Sequence, residues 1–98
     1  MIPSKFTVGG QDIEVRLVEA CESSKLGTCS VAEGVINIAK TFSGREQSES
    51  SRENTFYHEL THAILDTMGE HDLSDNEKFV CAFSGFLTEA IRSFTYNT

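Results

Sequence analysis

Residues 56–63 read Phe56-Tyr57-His58-Glu59-Leu60-Thr61-His62-Ala63. On an α-helix, His58 and His62 lie one turn apart and project from the same face. Two histidines at this spacing, with a glutamate directly after the first, form the HExxH pattern that binds zinc. A chain of this composition would contain the pattern by chance in about 1% of cases. We therefore predict that this segment is a helix and that its two histidines are zinc ligands.

The flanking residues predict two helices. Ser50 with Glu53 is a capping-box signature before the first helix, and Gly69 is typical of its end. Ser74 with Glu77 is a second capping box, which opens another helix. Apolar residues recur at helical spacing in both segments: Phe56, Leu60, Ala63, Ile64 and Met68 in the first, and Phe79, Val80, Phe83, Phe86, Leu87, Ala90, Ile91 and Phe94 in the second. We expect the two helices to cover one face of a sheet.

A third zinc ligand has to come from outside the HExxH pattern. Catalytic zinc sites use three protein ligands and keep a fourth position open. Glu77 is the leading candidate, because it enters on the first turn of the second helix beside the apolar face. It would otherwise only complete the capping box with Ser74. His71, in the short loop between the helices, is the alternative third ligand, since histidine is the commoner ligand by type.

The helical half of the chain resembles the active-site region of the thermolysin-like gluzincins. The resemblance is carried by the run His58–Ala63, by Asp66 one turn further on, and by the pair Asn76-Glu77. This chain departs from that family in its short connection between the HExxH helix and Glu77. It also has no counterpart of the family's large second lobe.

A closer overall likeness is to small metallopeptidase-like proteins of phage and prophage origin, and more loosely to the ImmA/IrrE-type peptidases. These proteins share a short β-rich start and a run like Phe56–Ala63. They also share a downstream helix that begins like Glu77-Lys78-Phe79-Val80.

These resemblances imply a role for each residue of the site. His58, His62 and Glu77 would be the zinc ligands. Glu59 would be the catalytic general base. Asp66 would orient a ligand histidine by contacting it without binding the metal itself. The implied activity is hydrolysis of a protein or peptide substrate by a metal-activated water. The alternative is a zinc-stabilised binding module that acts on a host or phage protein and hydrolyses nothing.

The first forty residues predict a sheet. Apolar residues alternate with polar ones on both sides of the turn Gly9-Gly10, which is typical of a β-hairpin. Residues 27–31 and 35–39 are two further β-rich runs, and the second is a candidate edge strand for binding an extended peptide. Residues 41–52 are polar and predict a segment without regular structure that connects the sheet to the first helix. We therefore expect residues 1–98 to form a single α+β, zincin-like domain with a short, mostly antiparallel sheet followed by two helices.

Composition and charge exclude some classes of binding partner. The chain has 98 residues and a net charge of −7, and its basic residues are scattered, so we expect no nucleic-acid partner. No segment has the roughly 18 apolar residues of a membrane span, so we expect a cytoplasmic protein without a membrane partner. The cysteines Cys21, Cys29 and Cys81 are odd in number, which favours reduced thiols over a disulfide framework. We expect all three to be small buried side chains.

Overall fold

The computed structural model describes residues 1–97, which form a four-stranded sheet followed by helices. The sheet contains β1 (Lys5–Val8), β2 (Gln11–Val18), β3 (Gly27–Ser30) and β4 (Val35–Ala39). A one-turn 3-10 helix spans Glu22–Ser24, and a small hairpin contains β5 (Thr41–Phe42) and β6 (Arg45–Glu46). The helices are α1 (Glu49–Met68), α2 (His71–Ser74) and α3 (Glu77–Arg92). The predicted α+β class is confirmed, and α2 and the β5–β6 hairpin are elements that the sequence did not predict.

The sheet is mixed, with strand order β1-β2-β4-β3. The outer pairs, β1–β2 and β3–β4, are antiparallel, as predicted, but the central pair β2–β4 is parallel. The reason is topological: β3 occupies the outer position, and its hairpin returns β4 beside β2 in the same direction. Strand patterns in a sequence fix which residues face inward but not which strands become neighbours.

The main core lies between the sheet and α1. Ile13, Ile36 and Ile38 are fully buried on the helix-facing side of the sheet. Phe56 of α1 packs on them and makes an edge-to-face contact with Phe6, at 5.9 Å between ring centroids. This packing fixes the position of α1, and with it the HExxH residues, relative to the strands.

Only α1 packs extensively on the sheet, so the expectation that both long helices cover it is wrong. α3 packs against α1 and α2 instead, because α1 alone covers this small sheet. The two long helices are antiparallel: Arg92 near the end of α3 contacts Glu53 at 2.9 Å and donates to the Ser50 carbonyl at 2.8 Å. Within residues 1–97, no helix combines the length and apolar character needed to cross a membrane.

The helix ends differ in part from the predicted ones. α1 has Ser48 rather than Ser50 as its N-cap, and α3 has Asn76 rather than Ser74. Both predicted capping boxes are therefore wrong. The end of α1 at Gly69 is confirmed, since this residue takes the left-handed conformation (φ 81°) that glycine adopts without strain.

Candidate metal centre

Three side chains from two helices meet at one point. His58 Nε2 lies 3.5 Å from Glu77 Oε2, and His62 Nε2 lies 3.3 Å from Glu77 Oε1. One ligand atom from each residue lies within 4.8 Å of the others, so the group could hold a metal ion. Helix α1 supplies both histidines from one face, and the first residue of α3 supplies the carboxylate. The short α2 segment makes this possible because it turns the chain back across α1.

Ser74 orients one of the histidines. Its hydroxyl lies 2.9 Å from His62 Nδ1, and the serine is buried. With Nδ1 occupied by this contact, the Nε2 atom of His62 faces the Glu77 carboxylate. A hydrogen-bonded partner on the second ring nitrogen is the usual means of fixing a ligand histidine. The sequence assigned Ser74 to a cap, and its spacing carries no signal for this role, because the contact joins two different helices.

Asp66 and His71 contact each other, and neither belongs to the three-residue group. His71 Nδ1 is 3.5 Å from Asp66 Oδ1, and the His71 side chain is 71% exposed. His71, the alternative third ligand, is thus paired with Asp66, the residue that was predicted to orient a ligand histidine. In this structure the partner of His62 is Ser74.

Substitution at position 77 tests the ligand assignment. Glu77→Gln should weaken zinc binding by more than about 100-fold, since even loss of a supporting partner typically costs 10–100-fold. The helix should remain, because the N-cap of α3 is the Asn76 side chain, which accepts from Phe79 N at 3.1 Å. Competition with a chromophoric chelator measures the affinity. His71→Ala is the matched control and should leave it nearly unchanged; a larger loss at His71 would transfer the assignment there.

Glu59 follows His58 on the helix, does not belong to the ligand group, and lines a cleft that His62 and Glu77 of that group also line. The cleft lies between β3 and the helices, and Glu59 and His62 line it together with Gly27 and Cys29 of the strand. This part of the cleft has a volume of about 350 Å³. A carboxylate beside the metal-ligand group, but not in it, is free to exchange a proton with whatever occupies the cleft.

The electrostatics of the site follow from its burial. Burial raises the pKa of the Glu59 carboxyl to about 6, although His62 opposes the shift. Burial also lowers the pKa of the His58 imidazole, and here the Glu77 carboxylate opposes the shift. His58 is therefore neutral at pH 7, which is the form of imidazole that binds metals.

The strand beside Glu59 carries a glycine that the sequence did not single out. A Cβ atom on Gly27 would lie 2.7 Å from Thr55 Cγ2, 3.0 Å from the Asn37 carbonyl oxygen and 3.2 Å from Glu59 Cγ. Contacts this short require displacement of α1 or of β3. Glycine at this position therefore lets the strand approach the helix closely enough to form one wall of the cleft.

Gly27→Ala should lower the free energy of unfolding by about 1–3 kcal/mol, the usual cost of overpacking. Thr55→Ser removes the nearest clashing atom and keeps a hydroxyl for the bond that Thr55 makes to the Ser51 carbonyl. The double variant Gly27→Ala/Thr55→Ser should recover part of the loss. Urea unfolding of the wild type, both single variants and the double variant measures this coupling. Simple addition of the two single effects would contradict the close approach.

The edge strand beside the site is not the one that the sequence predicted. β4, residues 35–39, lies inside the sheet between β2 and β3, so the prediction that it forms an edge is wrong. β3 is the edge strand beside the site. Ala39 N donates to the Leu26 carbonyl at 2.9 Å, so in the alternating antiparallel pattern Gly27 and Cys29 turn their backbone N–H and C=O groups to the open side.

The cysteines are all free, and they differ in environment. Cys21 and Cys29 are partly buried, and burial raises the pKa of the Cys29 thiol to about 12. Cys29 is therefore an uncharged part of the cleft wall at neutral pH, not a nucleophile. Cys81 is exposed, so the expectation of three buried thiols is wrong there. Its Sγ atom lies 3.9 Å from Glu77 Oε2, and the residue lines the cleft together with Thr55 and His58 of α1.

The chain was compared with protein families, with curated proteins and with solved structures. No family model matches it, and neither a curated protein nor a solved structure is significantly similar to it. A function for this protein therefore has to be inferred from the geometry of the site.

Proposed function

We propose that the protein is a zinc-dependent peptidase with a zincin-like fold. The observation that carries the proposal is the meeting of three potential ligands, His58, His62 and Glu77, with a separate carboxylate, Glu59, in the adjoining cleft. Two imidazoles and one carboxylate form a common ligand set of hydrolytic zinc sites, which leave one position open.

The spacing of the ligand atoms supports zinc. Zinc bonds to nitrogen and oxygen are about 2.0–2.1 Å long, and tetrahedral angles then separate neighbouring ligand atoms by about 3.3 Å. His62 Nε2 lies 3.3 Å from Glu77 Oε1 and His58 Nε2 lies 3.5 Å from Glu77 Oε2, so each histidine is at about this separation from one of the two carboxylate oxygens, and one ligand atom from each residue lies within 4.8 Å of the others. A zinc ion held here would supply a Lewis acid and lower the pKa of a bound water.

The protein's own groups would do the rest of the chemistry. Glu59 would accept a proton from the attacking water and deliver it to the leaving amine, as a general base and then a general acid. Ser74 would hold His62 in the orientation that presents Nε2. Burial of Glu59 between β3 and α1 restricts its movement and keeps it beside the cleft.

The edge strand β3 would bind an extended peptide. The open backbone groups of Gly27 and Cys29 can pair with a peptide that adds to the sheet, and this strand lies directly beside Glu59. A second, larger part of the cleft, of about 710 Å³, continues past His58 along Leu26, Thr55 and Thr88. Together the two parts offer room on both sides of the metal-ligand group, as a peptide with a central scissile bond requires.

Digestion of a peptide library tests the proposal. Purified protein loaded with one equivalent of zinc should cleave a subset of the peptides, with the cut sites read by mass spectrometry. Removal of the metal should stop cleavage, and restoring it should restore the same cut sites. Cleavage that is unaffected by metal removal, or no cleavage of any peptide by the zinc-loaded protein, would overturn the proposal.

A further inference from the structure

Helix α3 is amphipathic in an unusual sense. The residues that it buries most deeply are Val80, Ser84 and Thr88, two of which are small and polar. Two of its three phenylalanines are turned toward solvent: Phe83 is 48% exposed and Phe86 is 72% exposed. An exposed phenylalanine forgoes part of the free energy that burial of its ring would contribute, so exposed phenylalanines on one face of a helix point to an interaction surface.

These exposed side chains form one continuous strip. The strip follows helical spacing, and we call it the aromatic face; it consists of the half-buried Phe79 and the exposed Ala82, Phe83, Phe86 and Ala90. The rings of Phe79 and Phe83 stack, with 5.8 Å between centroids.

A shallow groove of about 510 Å³ runs beside the aromatic face. It is lined by Cys81, Ala82, Gly85, Phe86 and Glu89. No atom lies within 4 Å of where a Cβ atom on Gly85 would be. The groove is therefore open to a bulky side chain, such as the phenylalanine of another helix.

We infer that the aromatic face binds a second copy of this chain, with the two α3 helices packed antiparallel around a two-fold axis. In such an isologous contact the same surface is used by both copies, so the surface must contain both a ridge and a groove. The aromatic face meets this requirement: Phe86 is the ridge, and the groove beside Gly85 receives the Phe86 side chain of the second copy.

Charge placement selects the antiparallel orientation. Lys78 and Glu89 are exposed and lie on the same edge of the aromatic face, near opposite ends of α3. Within residues 1–97 neither of them makes a salt bridge. An antiparallel pair of helices brings like edges together, so each Lys78 lies toward the Glu89 of the second copy. A parallel pair would bring this edge against the opposite one and leave both charges unpaired.

Sedimentation equilibrium of the full-length protein over a wide concentration range tests the inference. We expect a monomer–dimer equilibrium, and Phe86→Glu should shift it to monomer at every concentration. Tyr96→Glu is the matched control, since Tyr96 is 80% exposed and lies outside the aromatic face; it should leave the dimer intact. Circular dichroism and zinc content should match the wild type in both variants.

Charge reversal tests the orientation and does not depend on the apolar contact. Lys78→Glu and Glu89→Lys should each weaken the dimer about fivefold, because each creates two repulsive pairs. The double variant Lys78→Glu/Glu89→Lys should recover wild-type dimerisation. A wild-type protein that stays monomeric at all concentrations, a dimer unaffected by Phe86→Glu, or a double variant without recovery would each overturn the inference.

Discussion

His62→Ala is expected to abolish zinc binding and to lower the melting temperature by about 15–30 °C under zinc saturation. His62 is one of only three ligands, and its loss leaves two groups that cannot hold the ion tightly. A metal that binds only the folded state stabilises it by about 4 kcal/mol at a thousandfold excess over the dissociation constant. In a domain of about this size, 1 kcal/mol corresponds to roughly 4–8 °C.

Calorimetry with and without zinc, together with elemental analysis, measures the effect. The wild type should carry about one zinc per chain and unfold at a higher temperature when zinc is present. His62→Ala should unfold at the same temperature in both conditions, near that of metal-free wild type. His71→Ala should behave as the wild type does. A His62→Ala protein that still carries one equivalent of zinc would show that the ion binds elsewhere.

The HExxH helix was predictable because its signals are local. The spacing of His58 and His62 requires only that the segment be helical, and Gly69 marks its end through its own backbone preference. The hairpin at Gly9-Gly10 is local in the same sense, and it too was predicted. Short sequence separations leave few alternatives for the chain.

The parallel pairing of β2 with β4 could not be predicted in this way. Alternation of polar and apolar residues shows which side chains face inward, but it is the same for parallel and antiparallel neighbours. The position of α3 is another case. Its apolar repeat predicted burial of its phenylalanines, whereas the helix buries Ser84 and Thr88 against α1. Packing between elements decided both outcomes.

The same distinction applies to the site. Glu77 was selected from the sequence because it opens a helix, and the structure brings it to the two histidines. Ser74 and Gly27 were not identified, since each acts through a contact with a residue on another element: Ser74 with His62, and Gly27 with Glu59. A serine or glycine has too many ordinary uses for its identity alone to reveal such a role.

Glu59→Gln should leave zinc binding nearly unchanged and reduce peptide cleavage by about 10²–10⁴-fold, the range typical of a lost general base. Glutamine has almost the same shape and remains between β3 and α1, but it cannot accept the proton. Glu59 lies outside the three-residue ligand group, so the metal should stay in place. Glu49→Gln is the matched control, because Glu49 is an exposed carboxylate on the same helix, and it should retain full activity.

The pattern of results separates a peptidase from a zinc-stabilised binding module. In a peptidase, Glu59→Gln loses turnover while its zinc content, measured on the same sample, stays at the wild-type level. In a binding module there is no turnover for Glu59→Gln to lose. In either case the neutral replacement should stabilise the fold at neutral pH, because burial disfavours the charged form of Glu59 and raises its pKa to about 6. Equal cleavage rates for Glu59→Gln and the wild type, with zinc present in both, would therefore reject Glu59 as the general base. The absence of cleavage by either zinc-loaded protein would reject the peptidase proposal.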